Sequence, residues 1–178
     1  MEGSNASYIN ASVCLPHSPH LSNALSTTSI MSTKSIKALY HTVNWDEKVM
    51  SEEGAALKIT RVRSERKFSG AMTGTGIAEY IICYHADGSL AEGTCSGMPT
   101  SSYTGICHFK GSIDGSAEGE VIFIVENGKF TGTAQADWLI DEKTAIGGLK
   151  GLKGKGGYKH EVTAKCADGT NVWFNYTL

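Results

Sequence analysis

Glu79 lies in the run Ile77-Ala78-Glu79-Tyr80-Ile81-Ile82-Cys83-Tyr84, an ionisable group with apolar residues on both sides. A carboxyl pointing into a protein interior loses the hydration of its charged form, which raises its pKa and suits it to general acid or base work. Arg61 and His108 are the matching candidates for stabilising negative charge on a reacting molecule, and a guanidinium does so through two parallel hydrogen bonds. A second arrangement stays open, in which Glu79 pairs with Arg61 or Arg63 or rests on a solvated outer face. Trp45, Tyr80, Tyr103, Trp138 and Tyr158 are candidate walls for a substrate, because an aromatic body with a polar tip suits a small-molecule pocket as well as ordinary core packing.

These residues need elements to hold them, and from Lys34 onward the chain consists of strand-length β-branched and aromatic runs punctuated by Gly, Asp-Gly and Asn-Gly. Strands are expected near 36–45, 56–68, 75–85, 90–98, 104–113, 118–126, 129–139, 158–166 and 171–177. Tight hairpins are expected at Ala86-Asp87-Gly88-Ser89, Glu126-Asn127-Gly128-Lys129 and Ala167-Asp168-Gly169-Thr170, since these pairs tolerate positive φ. Side chains alternate between the faces of a strand, so Phe130, Ala134, Ala136 and Trp138 share one face, as do Val172, Phe174, Tyr176 and Leu178. One short helical turn is expected at 46–55, capped by Asp46. With no crossover helices, the fold class is all-β: a closed or nearly closed antiparallel barrel of about eight strands, whose interior either fills with side chains or holds one small ligand.

Several chemistries lack their motifs. Gly148, Gly151, Gly154 and Gly157 recur every third residue without the Gly-x-x-x-x-Gly-Lys-Ser/Thr phosphate loop, which points to a strand bend or close packing. His160-Glu161 is followed by Ala164 where a zinc helix needs histidine, and the remaining histidines are scattered, so no metal and no other cofactor is expected. No Gly-x-Ser-x-Gly elbow or dinucleotide fingerprint is present. The five cysteines have no Cys-x-x-Cys pair and fit a reducing, cytoplasmic setting as small hydrophobes.

Composition bounds the rest. The 178 residues, with 21 glycines against three prolines, fit one domain with many bends. A formal net charge of −2 gives no field to attract nucleic acid or an anionic membrane surface, and no apolar run is long enough to span a membrane as a helix. Residues 1–30 are rich in Ser, Asn and Thr and read as a flexible segment without a secretory signal or transit-peptide pattern, leaving 31–178 as the barrel domain. An apolar outer strip is compatible with a homodimer, although nothing in the sequence sets the number of subunits.

The motifs Lys67-Phe68-Ser69-Gly70, Thr73-Gly74-Thr75-Gly76, Glu79-Tyr80 and Tyr84-x-x-Asp87-Gly88-Ser89 occur in order. With Trp45-Asp46-Glu47 before them, and with Gly148-Leu149-Lys150-Gly151-Leu152-Lys153-Gly154-x-Gly156-Gly157 and Phe174-x-Tyr176-x-Leu178 after them, the chain resembles an uncharacterised family of small single-domain β-barrels. The resemblance covers residues 34–178. That family is grouped structurally with allene oxide cyclase-like, calycin-like barrels, and the resemblance implies a cavity for a hydrophobic molecule. No cyclase catalytic residue is carried over. The functional expectation is a cofactor-independent isomerase or cyclase acting on a small, largely apolar metabolite, of the kind met in secondary metabolism. The alternative is a non-catalytic carrier or sensor of a small hydrophobic ligand.

Overall fold

The computed structural model describes residues 32–93, 96–161 and 169–178. Eight strands follow one another around a closed barrel, each antiparallel to its neighbours. They are β1 (Lys34–Val49), β2 (Ile59–Gly70), β3 (Met72–Tyr84), β4 (Ser101–Ile113), β5 (Gly119–Phe130), β6 (Thr133–Gly147), β7 (Lys153–Glu161) and β8 (Thr170–Thr177). β8 closes on β1, with Phe174 opposite Ile36 and Val172 opposite Ala38, so the meander leaves no unpaired sheet edge. No helix in the described residues is long and apolar enough to cross a membrane.

Alternation along the strands fills one end of the barrel. Phe68, Phe109, Phe123, Trp138 and Phe174 all point inward and are buried. Trp138 stacks on Phe123 with centroids 5.0 Å apart, and Phe68 meets Phe109 edge-on at 5.1 Å. Burying each such ring contributes on the order of 2–3 kcal/mol. Below them, Leu149 and Leu152 in the β6–β7 turn are fully buried with Met72 and Ile113. Of the glycine series, Gly148 and Gly151 belong to the turn that plugs this end, while Gly154 and Gly157 lie in β7, where a Cβ would strike the neighbouring strands. A Cβ at Gly148 would lie 2.0 Å from the Ala117 carbonyl oxygen, and Gly151 has a φ of +92°.

Three local expectations need correction. Asn127-Gly128 is not a hairpin turn: β5 runs through it as a bulge, and the chain reverses at Thr131-Gly132, with Gly132 at φ +105°. The Tyr103 ring packs where a Cβ at Gly128 would stand, 2.3 Å away, so this glycine serves close packing inside the sheet. The described residues of 90–98 form no strand; they belong to the connection between β3 and β4, where Leu90 makes an isolated bridge to Pro99. The residues at 46–49 continue β1 instead of forming a helical turn, because they remain paired with β2 through Val49 opposite Thr60. The Asp87-Gly88 reversal is present, with Ser89 donating to Asp87, but it opens this longer connection. The turn expected at Ala167-Asp168 and the segment 1–30 lie outside the described residues.

Candidate functional site

The end opposite the leucine plug holds a cavity of about 520 Å³, a size that suits one small organic molecule. β1 reaches over it through a bulge between Thr42 and Asn44. Upstream of the bulge, Tyr40 and Thr42 stand opposite the inward Phe68 and Arg66; beyond it, Trp45 and Glu47 stand opposite the inward Ser64 and Val62. One inserted residue has moved the inward parity from even to odd numbers. Trp45 and Glu47 are thereby turned to the mouth.

Arg66 enters the cavity floor from β2 and is 3% exposed. Its guanidinium lies 4.2 Å from the Tyr40 ring centroid, 5.3 Å from that of Tyr80 and 5.4 Å from that of Tyr158. Nη2 donates to the Tyr80 hydroxyl. Nε and Nη1 are buried with no oxygen or nitrogen acceptor from the protein, the buried Cys107 thiol being a neighbour that can accept only weakly, and no carboxylate pairs with Arg66 among the described residues. Burial works against its charge, but a guanidinium stays protonated even in a protein interior, and ionisation of Tyr40, Tyr80, Cys107 or Tyr158 at high pH would only hold its proton more firmly. Burial likewise pushes the phenols of Tyr40, Tyr80 and Tyr103 well above their ordinary value, so at neutral pH they are neutral and supply no counter-charge. The result is a desolvated cation surrounded by rings.

A short hydroxyl chain rigidifies one wall: Tyr158 donates to Tyr103 at 3.0 Å, and Tyr103 donates to the Gln135 carbonyl at 2.9 Å. At the mouth, Glu47 Oε1 accepts from the Tyr84 hydroxyl at 2.7 Å and Oε2 accepts from the Trp45 indole at 3.2 Å. Desolvation raises the Glu47 pKa, but these hydrogen bonds, led by that from Tyr84, and the nearby Lys58 charge leave it below the ordinary carboxylate value. Ile82, Met98, Pro99, Phe130 and Ala134 complete the apolar lining.

The expected wall residues Trp45, Tyr80, Tyr103 and Tyr158 do line this cavity, whereas Trp138 lies fully buried outside its lining. The three residues considered for proton transfer and charge stabilisation lie elsewhere. Glu79 alternates outward between inward Ala78 and Tyr80, and its carboxylate is held by Arg63 at 2.7 Å and Arg61 at 3.1 Å. Partial burial raises its pKa, but these two guanidiniums outweigh that and hold it below the ordinary value, the reverse of the shift a buried general acid needs. His108 also faces outward and meets Glu120 at 2.9 Å. None of the three reaches the cavity. Among the described residues, no group of three or more His, Cys, Asp or Glu side chains could hold a metal.

Arg66 was legible in the strand pattern. Thr60, Ser64 and Arg66 share the parity of Val62 and Phe68, two of the three apolar residues of β2, while Arg61, Arg63, Glu65 and Lys67 lie on the other face with Ile59. The inward turn of Glu47 had no such signal, because it depends on the β1 bulge.

Residues 36–176 match the family described as protein of unknown function DUF3224. The chain belongs to that family. A solved DUF3224 protein with unknown function from Shewanella oneidensis is 13% identical, with a TM-score of 0.58 over 83% of this chain and 98% of that one. At such identity the likeness carries the barrel fold alone. No curated protein matches the sequence. In this DUF3224 chain, the features that bear on function are the cavity and the charge at its floor.

Proposed function

We propose that the barrel binds one small, largely apolar molecule that carries an anionic or strongly accepting oxygen, with that oxygen directed to Arg66. The observation that carries this reading is a guanidinium buried without a counter-charge, two of its nitrogens lacking an oxygen or nitrogen acceptor from the protein, at the floor of an apolar cavity. A desolvated charge without a partner costs several kcal/mol, so a ligand oxygen that satisfies it gains more there than it would in water. The rings around it accept apolar bulk and exclude strongly hydrated groups.

An isomerase or cyclase is the second reading. The Tyr80 hydroxyl accepts from Arg66 and keeps its own proton to donate, so the two together would stabilise an enolate-like oxygen. In that reading Arg66 and Tyr80 stabilise the developing negative charge, the role expected of Arg61 and His108, and barrel walls that fix a flexible chain supply the rest.

The test is calorimetric titration with octanoate and with 1-octanol at neutral pH. Octanoate should bind at least tenfold more tightly than the alcohol. Equal affinities would remove Arg66 from ligand recognition.

A further inference from the structure

We infer that the ligand is two-ended: an acid at one end, an apolar middle, and a hydrogen-bond donor at the other end that is received by Glu47. This rests on the reading that Arg66 takes the acid. Arg66 and Glu47 line the same cavity, one at its floor and one at its mouth. Glu47 stands opposite Val62, four residues along β2 from Arg66. That is a separation of about 13 Å along the strand, enough for a chain of several carbons between the two groups.

Glu47 is a receptor with capacity left. A carboxylate offers about four acceptor positions. Tyr84 occupies one on Oε1 and Trp45 one on Oε2, and the Thr60 hydroxyl bears on the same carboxylate, so these neighbours fix its position and still leave at least one acceptor position open. No Lys, Arg or His comes within ion-pair distance of it among the described residues. Lys58 instead sits over the Tyr84 ring, 4.4 Å from the centroid. The β1 bulge makes this orientation possible: without it the even parity would continue, Asp46 and Lys48 would turn inward and Glu47 would face outward. A hydroxyl or ammonium rising from the cavity would meet an ionised acceptor beside two aromatic side chains, a setting that favours donors and cations.

The test compares octanoate, 8-hydroxyoctanoate and 8-aminooctanoate by calorimetry on the full chain and on its Glu47→Leu variant. At least one donor-bearing acid should bind wild type about tenfold more tightly than octanoate, and in E47L the ratio of the two affinities should fall to within about threefold of one. A wild-type-like cooperative thermal melt of E47L shows that the variant is folded. If octanoate binds and neither donor-bearing acid is preferred, or if the preference survives in E47L, the two-ended ligand is overturned and the Arg66 reading stands. If none of the three acids binds wild type, both fail. Preference for the amine marks a cationic tail, and equal preference for amine and alcohol marks a donor of either charge.

Discussion

Inside the barrel, Arg66 donates through Nη2 to the hydroxyl of Tyr80, a neutral partner, and receives no carboxylate in return. On the outer face of the same two strands, Arg61 and Arg63 share Glu79. These two strands thus pair Arg61 and Arg63 on the outside and leave the buried Arg66 without a counter-charge. A buried, unneutralised charge is the costlier arrangement, and the cavity beside it gives the charge a use.

Glu79 is a structural residue of the outer wall in this account. Glu79→Gln should leave octanoate affinity unchanged within about twofold and lower stability by about 1 kcal/mol or less at pH 7, because both arginine partners are substantially exposed and solvent screens the pairs. Its folded pKa is lowered from 4.5, so the pairing stabilises the fold above that pH and is lost as the pH falls through the lowered value. Urea melts from pH 7 to pH 3 should therefore show wild type and E79Q converging at the acid end. A constant gap would reject the assignment.

Gly128 tests the bulge in β5. A Cβ there would fall 2.3 Å from both the Tyr103 ring and the Tyr103 carbonyl oxygen, and backbone cannot swing aside. Gly128→Ala should cost about 1–3 kcal/mol in chemical denaturation. A neutral result would show that the bulge relaxes without strain.

Trp45 reports on the mouth. It lines the cavity and is 49% exposed, while Trp138 is fully buried and Trp173 faces out from the barrel. Octanoate binding should shift the tryptophan emission of wild type to the blue, and Trp45→Phe should lose that shift while calorimetry still reports binding. A full shift in W45F would place the ligand away from the mouth.

The barrel was readable from the sequence because its evidence is local and repeated: inward apolar residues at every second position, glycines at the bends, and no helical period. Where the reading failed, two local signals had the same appearance. Asn127-Gly128 fits a hairpin or a bulge equally well, and only the Tyr103 ring packed over Gly128 distinguishes them. In β3 both faces are apolar, Ala78, Tyr80 and Ile82 on one and Ile77 and Ile81 on the other, so alternation could not place Glu79. In β2 the alternation was decisive for Arg66, yet an arginine on an apolar face is rare enough to be passed over beside Arg61 and Arg63. Glu47 required knowledge of an inserted residue in β1, which leaves no mark on composition.

The most direct measurement of the central claim is paired calorimetry and thermal melting of Arg66→Met. Methionine fills similar space without the charge, and replacing a buried charged group by an apolar one of like volume is often neutral or stabilising by about 1–4 kcal/mol. R66M should melt at or above the wild-type temperature while octanoate affinity falls about 100-fold, the scale expected when charge-assisted hydrogen bonds to the acid are lost. A variant that melts lower and still binds octanoate with wild-type affinity would contradict the central claim, because Arg66 would then be holding the fold together and not the ligand.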